Sequence, residues 1–294
     1  MNINAWWVAS RPKTLIVSIA PVMLGLALSI HDQVFSSILV GLSTLIASIL
    51  IQIGTNFIND LYDFISGADN KDRLGPVRAI QSGLLSKNEI KLGAFICFGI
   101  ALLIGLFLVS IGGTPILLIG SFAIISGYCY TAGPYPLGYN GFGDLFVFIF
   151  FGLIAVPGTY YLQSNILFDF DSIIIGSSMG CIAVAILCVN NIRDIESDKR
   201  VGKKTLAVRL GKYPIIILYD LMIVASYVCI FFLFIGHDFY FHLGFCLLLL
   251  SIPIAAKLII DIHNKDGSKL NLVLLNTSNF MRTFFILLIL GLML

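Results

Sequence analysis

The sequence is poor in charged residues. Asp, Glu, Lys and Arg make up 12% of its 294 residues, whereas an average soluble domain has about 25%. The formal net charge is only +2, which gives no overall electrostatic reason to expect nucleic-acid binding. Because 58% of the residues are hydrophobic and the mean hydropathy is +0.98, the composition indicates an all-α, polytopic membrane protein.

Cysteine and histidine patterns typical of zinc sites are also missing. The six cysteines lie in apolar stretches without a CxxC pair, and the four histidines are scattered. We interpret the cysteines as small buried residues rather than metal ligands or disulfides, and zinc or non-haem iron fits poorly. A cleavable signal peptide is not expected, because the first apolar run continues past Pro21 without a cleavage-site pattern.

Apolar runs near the roughly 20 residues that cross a hydrocarbon core predict about nine transmembrane helices. The predicted spans are residues 14–31, 36–58, 91–111, 114–132, 142–162, 172–190, 213–236, 240–260 and 273–294. The connections near residues 32–35, 112–113, 163–171 and 237–239 contain no Lys or Arg. The positive-inside rule therefore places the N-terminus and the basic connections on the cytoplasmic side of the membrane, and the C-terminus outside.

The spans suggest one domain, residues 1–294, built from two related halves. The halves cover residues 14–132 and 142–260, with a ninth helix at 273–294. Each half carries a polar cluster after its second span. An even number of spans separates the two clusters, so both lie on the same side of the membrane, the cytoplasmic side. Arg282 lies near the cytoplasmic start of the ninth span, where it is either a functional intramembrane cation or a residue that snorkels to the interface.

The first polar cluster lies at the end of the second span. Asn56, Asp60 and Asp63 follow a spacing of i, i+4 and i+7, which puts them on one helix face if the helix continues through them. Gly67 is expected to end this helix. The next acids, Asp69 and Asp72, then belong to the loop.

The second polar cluster follows the sixth span. Asn190, Asp194 and Asp198 are spaced i, i+4 and i+8 on one face, with Asn191 at its margin. Each cluster thus offers an amide and two carboxylates. Mg²⁺ prefers such oxygen ligands and is typically held by a few carboxylates together with substrate phosphates.

Basic residues interleave with both clusters. They are Lys71, Arg73 and Arg78 in the first loop, and Lys199, Arg200, Lys203 and Lys204 in the second. Acids that would bind metal, next to bases that would bind phosphate, predict a diphosphate-binding site, referred to below as the diphosphate clamp. For the basic residues alone, ordinary juxtamembrane charge is an equally good interpretation.

Two further segments carry candidate residues. The connection at residues 128–144 is rich in Tyr, Gly and Pro; Tyr130 and its neighbours would either cover a site and stabilise a carbocation by cation–π attraction or form an interfacial aromatic belt. Arg11 and Lys13 open the first span, where topological anchoring is favoured over contact with an anionic substrate.

A diphosphate clamp beside a lipid-open cavity suits an isoprenyl diphosphate, whose head needs cations and whose tail needs hydrocarbon. Metal and basic side chains would neutralise the leaving diphosphate. An electron-rich aromatic ring would then attack the allylic cation. A cation-coupled transporter is the alternative class, but the acids lie at span ends on one side without a charged path to the other.

Four stretches resemble the UbiA superfamily of intramembrane aromatic prenyltransferases: residues 9–14, 56–78, 130–161 and 190–211. The resemblance extends from residue 9 to about 212. Gly75-Pro76-x-Arg78 and the Asn-Asn-x-Arg-Asp of residues 190–194 resemble the branch that prenylates 1,4-dihydroxy-2-naphthoate for menaquinone synthesis. Gly67 occupies a position where the superfamily commonly has Asp, which leaves the metal role of Asp69 open.

The resemblance implies a nine-helix bundle with a lipid-open central cavity capped on the cytoplasmic side. It implies that Mg²⁺ is held by Asp60, Asp63, Asp194 and Asp198 with help from Asn56, Asn190 or Asn191. It further implies that Arg78, Arg193 and Lys204 contact the diphosphate, and that Arg11 or Lys13 recognises the naphthoate carboxylate. Prenylation with loss of CO₂ would give demethylmenaquinone; 4-hydroxybenzoate and homogentisate are the alternative acceptors. No obligatory protein partner is expected.

Overall fold

The structure, a computed structural model, describes residues 3–69, 73–233 and 244–294. All regular elements in these ranges are helical. The α-helices are α1 (Ile3–Ser10), α2 (Ile16–His31), α3 (Ile38–Ile65), α4 (Lys87–Cys129), α5 (Gly143–Phe148), α6 (Ala155–Ser164), α7 (Phe170–Arg193), α8 (Ile195–Arg200), α9 (Leu206–Leu210), α10 (Lys212–Phe232), α11 (Ile252–Asn264) and α12 (Leu270–Met293). A π-helical turn, Ile149–Ile154, joins α5 to α6, and a 3₁₀ segment, Cys246–Ser251, leads into α11.

Helix α4 is a hairpin of two spans. Its 43 residues would form a rod of about 65 Å, roughly twice the thickness of a hydrocarbon core. The backbone reverses at Gly113, where φ is 62° and ψ is −150°. A Cβ atom on Gly127 would lie 3.6 Å from the ring of Phe98, so residues on opposite sides of the bend lie beside each other.

The helix count confirms the predicted class of fold. In the described residues, seven helices are long and apolar enough to cross a membrane, or eight when the bent pair of residues 3–14 and 16–31 is one span. The α4 hairpin supplies a further crossing, in agreement with about nine predicted spans. The chain is therefore an all-α, multi-pass membrane protein.

The helix of the second predicted span extends beyond its apolar run. The span was predicted as residues 36–58, and α3 continues to Ile65 through the polar cluster, with Asn56, Asp60 and Asp63 buried. Gly67, with φ +80°, follows its end, as predicted. Residues 240–243 of the eighth predicted span lie outside the described residues.

Helix α7 forms the centre of the bundle. Most of its length is buried, and α2, α10 and α12 pack around it. It also packs closely against the π-helical turn. A Cβ atom on Gly176 would lie 2.1 Å from the carbonyl oxygen of Gly152, and one on Gly180 would lie 2.8 Å from the Gly152 Cα. Glycine at these positions therefore allows the two backbones to touch.

This contact predicts a stability difference between two glycine substitutions. Gly176→Ala should lower the free energy of unfolding by about 1–3 kcal/mol, because the new methyl group overlaps the Gly152 carbonyl. Gly99→Ala is the matched control, since its Cβ atom would meet nothing within 4 Å. Thermal unfolding in detergent should show a lower Tm for Gly176→Ala only. Equal Tm values for the two variants would contradict the close contact.

Candidate active site

A cavity of about 730 Å³ lies between α2, α3, α4, the π-helical turn and α7. Most of its wall is apolar, formed by residues such as Val17, Leu108, Ile116, Phe150 and Leu162. Its polar end is formed where α3 and α7 end. The cavity therefore joins a charged region to a hydrocarbon-lined interior.

Most of the predicted site residues line this cavity. They are Arg11, Lys13, Asn56, Asp63, Arg78, Tyr130, Asn190, Asn191, Arg193, Asp194 and Asp198. Three others, Asp60, Asp69 and Lys204, do not line it. Lys71 and Asp72 lie outside the described residues. Arg282 is also away from the cavity, and its guanidinium donates to the Asn279 side chain at 3.1 Å.

Asp60 faces the loop after α3 and not the cavity. Its Oδ2 accepts a hydrogen bond from the Ala79 backbone N–H at 3.0 Å, and the residue is 1% exposed. Asn59 lines the cavity instead and accepts a hydrogen bond from the Thr131 hydroxyl at 2.8 Å. The two side chains differ by about 100° around the helix. The residues of this part of α3 that line the cavity are thus Asn56, Asn59 and Asp63, spaced i, i+3 and i+7, and Asp60 lies beside them at the margin of the same helix face.

Lys203 links the two acidic clusters. Its Nζ lies 2.8 Å from Oδ1 of Asp63 on α3 and 3.3 Å from Oδ1 of Asp198 on α8. The same Nζ lies 4.5 Å from the ring centre of Tyr139, whose hydroxyl donates to Asp63 at 2.8 Å. One ammonium group therefore bridges carboxylates from both clusters.

The backbone explains why Lys203, and not the predicted Lys204, occupies this place. Gly202 has φ +77°, and the N–H of Lys203 donates to the Asp198 carbonyl at 3.0 Å, which turns the chain back over α8. The next N–H, of Lys204, donates to the Tyr139 carbonyl at 2.7 Å. The Lys204 residue is exposed outside the cavity.

The environment shifts the pKa values of this bridge. Burial raises the pKa of Asp198 to about 6, although Lys203 opposes the shift. Burial alone lowers the pKa of Lys203, but the carboxylates of Asp63 and Asp198 outweigh it and raise the pKa above its ordinary value. Lys203 is therefore an ammonium at neutral pH.

The second cluster is not on one continuous helix. Helix α7 ends at Arg193, and Asp194, with φ −99° and ψ 9°, leads into α8. Two hydrogen bonds of helical spacing span the break, from the Asp194 N–H to the Asn190 carbonyl at 3.1 Å and from the Asp198 N–H to the Asp194 carbonyl at 2.9 Å. The break is thus small, and all three side chains still line the cavity.

Arg193 is held by three partners beside this break. Its Nε and Nη2 donate to Asp194 at 2.8 and 2.6 Å, its Nη2 also contacts the Asn190 Oδ1, and its Nη1 donates to Asn271 Oδ1 at 2.9 Å. Asn271, at the start of α12, donates in turn to the Leu74 carbonyl at 2.7 Å. Asn271 therefore joins Arg193 to the loop after α3. No sequence pattern had indicated it.

The Asp69 side chain pairs with two arginines and does not line the cavity. Its carboxylate pairs with Arg73 and with the Nε of Arg78 at 3.2 Å, and its side chain is 0% exposed. Burial raises the pKa of Asp69 to about 6, with Arg73 opposing the shift. Arg73 and Arg78 both line the cavity. A Cβ atom on Gly75 would lie 2.7 Å from the Nη2 of Arg73 and 3.0 Å from that of Arg193, so both guanidinium groups flank this glycine.

The remaining predicted residues lie at the same end of the cavity. Arg11 has φ 54°, and its Nη2 donates to the Asn56 carbonyl at 3.4 Å. The Asn56 side chain donates to the Ser10 carbonyl at 3.0 Å, which ties α1 to α3. Tyr130 is the residue after α4, and burial raises the pKa of its hydroxyl, so it is a neutral phenol.

The oxygen donors at this end fit a magnesium ion shared with a phosphate ligand. Asn59 and Asp63 face the cavity from α3, and Asn190, Asp194 and Asp198 face it from α7 and α8. Within residues 3–69, 73–233 and 244–294, no group of three or more His, Cys, Asp or Glu is close enough to hold a metal by itself. Mg²⁺ commonly uses one or two carboxylates together with substrate phosphates. Donors that are divided between α3 and the end of α7 with α8 fit a metal held in this way.

The pattern of the UbiA prenyltransferase family matches residues 18–288. The chain is 40% identical over 220 residues to a 1,4-dihydroxy-2-naphthoate octaprenyltransferase of Haemophilus influenzae, covering 72% of this chain and 71% of the relative. It is 37% identical over 233 residues to the enzyme of that name from Escherichia coli, covering 77% and 75%. A solved UbiA homologue from Archaeoglobus fulgidus, bound to DMAPP and Mg²⁺, shares the fold with a TM-score of 0.61 and 16% identity over 96% of this chain and 98% of its own.

The link through Asn271 predicts a local change in backbone protection. Asn271→Ala should raise amide hydrogen exchange in residues 73–82, because the Leu74 carbonyl and the buried Arg193 guanidinium both lose a partner, at a cost of about 1–3 kcal/mol. Asn279→Ala on the same helix is the control, since Asn279 is exposed. Hydrogen–deuterium exchange with mass spectrometry measures both. Unchanged exchange in Asn271→Ala would show that this residue does not hold the loop.

Proposed function

The chain belongs to the UbiA prenyltransferase family, and we propose that it transfers a polyprenyl chain from polyprenyl diphosphate to 1,4-dihydroxy-2-naphthoate in a Mg²⁺-dependent reaction with loss of CO₂. The relatives named as 1,4-dihydroxy-2-naphthoate octaprenyltransferases support this acceptor. The A. fulgidus homologue with DMAPP and Mg²⁺ supports a prenyl diphosphate donor and a divalent metal.

The observation that carries the proposal is a cavity with two chemically different ends. Its polar end brings together Asp63, Asp198 and Lys203 from separate elements, and the rest of its wall is apolar. A prenyl diphosphate has the same division between a charged head and a hydrocarbon tail. The donor would bind with its diphosphate between the clusters and its tail along the apolar wall.

Each group of side chains has a proposed role. The oxygen donors that would hold Mg²⁺ are Asp63, Asp194 and Asp198 with Asn59 and Asn190. The bases that would contact the diphosphate are Arg73, Arg78, Arg193 and Lys203. Arg11 and Lys13 would pair with the carboxylate of the acceptor. Asp60 and Asp69 would act through the loop after α3, which they hold in place.

The proposed reaction would use these groups in sequence. The allylic C–O bond breaks, and its electron pair leaves with the diphosphate, whose growing charge the arginines and Lys203 stabilise. Bound Mg²⁺ would supply further neutralisation of that charge. The ring carbon that bears the carboxylate attacks the allylic carbon. Loss of CO₂ returns the C–C electron pair to the ring and gives the hydroquinone form of demethylmenaquinone.

The proposed membrane orientation follows from the basic connections. The polar end of the cavity would face the cytoplasm and the C-terminus the opposite side of a bacterial inner membrane. We also propose that residues 14–132 and 142–260 form two related halves, with residues 273–294 as an added helix. Contact between Lys203 and both acidic clusters supports two halves that meet at one site.

The acceptor assignment predicts a selective reaction. With polyprenyl diphosphate and Mg²⁺, membranes containing the protein should prenylate 1,4-dihydroxy-2-naphthoate and release diphosphate and CO₂. Reactions with 4-hydroxybenzoate and homogentisate in parallel test the alternative acceptors, and product formation can be followed by mass spectrometry. Turnover with only 4-hydroxybenzoate or homogentisate would overturn the acceptor assignment. Absence of turnover with all three would overturn the proposed reaction.

The donor assignment predicts that two carboxylates are essential. Asp63→Asn and Asp198→Asn should each lower Mg²⁺-dependent kcat by about 10²-fold or more, because each removes a carboxylate proposed to hold the Mg²⁺ that neutralises the leaving diphosphate. Asp266→Asn is the control, since the Asp266 side chain is 76% exposed and pairs with Lys212 away from the cavity. Near wild-type kcat in both Asp63→Asn and Asp198→Asn, with the protein folded, would refute their role.

A further inference from the structure

Lys203 lies where the two proposed metal-binding clusters come together. Its Nζ contacts one carboxylate oxygen of Asp63 at 2.8 Å and one of Asp198 at 3.3 Å. Its side chain is 12% exposed. Arg78 contributes a more distant contact, with its Nη2 3.9 Å from the other oxygen of Asp63. The Lys203 ammonium therefore contacts a carboxylate of each cluster.

We propose that the Lys203 ammonium competes with Mg²⁺ for the carboxylates of Asp63 and Asp198, so that the metal binds tightly only together with a diphosphate. The inference rests on the proposed function, which assigns these carboxylates to the metal. A magnesium ion binds carboxylate oxygen at about 2.0–2.1 Å. At that distance it would lie close to an ammonium hydrogen-bonded to the same oxygen, and the two cations repel each other.

A diphosphate removes this conflict by giving the ammonium other oxygens. Lys203 lines the cavity, where the diphosphate is proposed to bind, and it follows Gly202, whose positive φ ends the preceding turn. Lysine has a long flexible side chain with three rotatable N–H donors. The ammonium can therefore move from the carboxylates to the diphosphate with a modest displacement while the Tyr139 ring remains beside it.

The consequence is positive coupling between metal and diphosphate. By linkage, if diphosphate tightens metal binding by a given factor, the metal tightens diphosphate binding by the same factor. Without diphosphate, the Lys203 ammonium occupies one oxygen of Asp63 and one of Asp198. The enzyme would thus bind metal and donor as a unit, and would bind little free metal between turnovers.

Metal titrations of the purified full-length protein in detergent test the proposal directly. Mn²⁺, followed by electron paramagnetic resonance, serves as the probe, with and without inorganic pyrophosphate and after correction for Mn²⁺-pyrophosphate in solution. Wild-type protein should bind Mn²⁺ about ten-fold more tightly with pyrophosphate, within the usual range of coupling between sites. Equal affinity in both conditions would overturn the proposal without any variant.

Two lysine variants separate the proposed role from a general effect of charge. Lys203→Met keeps the length of the side chain without its charge, and should bind Mn²⁺ alone about ten-fold more tightly than wild type with much weaker coupling to pyrophosphate. Lys204→Met is the matched control and should behave as wild type, because Lys204 is exposed outside the cavity. Lys203→Gln provides the same test if the methionine variant does not fold.

The outcomes distinguish this inference from the proposed function. If wild type binds Mn²⁺ with pyrophosphate but Lys203→Met or Lys203→Gln binds Mn²⁺ alone no more tightly, competition by Lys203 is wrong and the metal site stands. Equal tightening in Lys204→Met would assign the effect to net charge and also overturn the proposal. If wild type binds no Mn²⁺ even with pyrophosphate, the proposed metal site fails and the inference fails with it.

Discussion

The structure depends on the pairing of buried charges at the ends of α3 and α7. A charge removed from water is costly unless an opposite charge and hydrogen bonds compensate for it. Here the compensation crosses between elements: Lys203 pairs with Asp63 and Asp198, and Asp69 pairs with Arg73 and Arg78. These pairs hold the loops against the helices. The same residues that make the polar end charged enough for a diphosphate therefore also keep it folded.

The apolar part of the molecule gives this charged end a fixed frame. Helix α7 is the buried centre, and the glycine contact between Gly152 and Gly176 sets how closely the π-helical turn can approach it. The bend at Gly113 turns α4 back on itself, so both of its arms contribute to the cavity wall. A π-helical turn is often found at functional sites, and here its Phe150 and Phe151 line the cavity.

Sequence periodicity predicted the helical bundle and the positions of both clusters, because apolar length and polar spacing are local properties. It could not tell whether Asn59 or Asp60 lines the cavity. Their side chains differ by only about 100° around the helix, so both fit the same face, and the position of the cavity depends on how the whole bundle packs. Lys203 and Lys204 are adjacent, and the turn at Gly202 decides which one reaches the carboxylates. Asn271 is one amide beside an apolar span, and only its distant partners, Arg193 and Leu74, reveal its importance.

The direction of each carboxylate divides the acidic motifs into two kinds of residue. Asp63 and Asp198 face the cavity, whereas Asp60 accepts from the Ala79 N–H and Asp69 holds two arginines. Under the proposed function, loss of any of these acids would reduce turnover, because a displaced arginine and a missing metal ligand would both weaken the hold on the diphosphate. Turnover alone therefore cannot separate ligands from anchors. Metal affinity measured with pyrophosphate would separate them, since loss of a cavity-facing acid that holds the proposed metal would change metal binding itself, whereas loss of an anchor would first change the order of the loop.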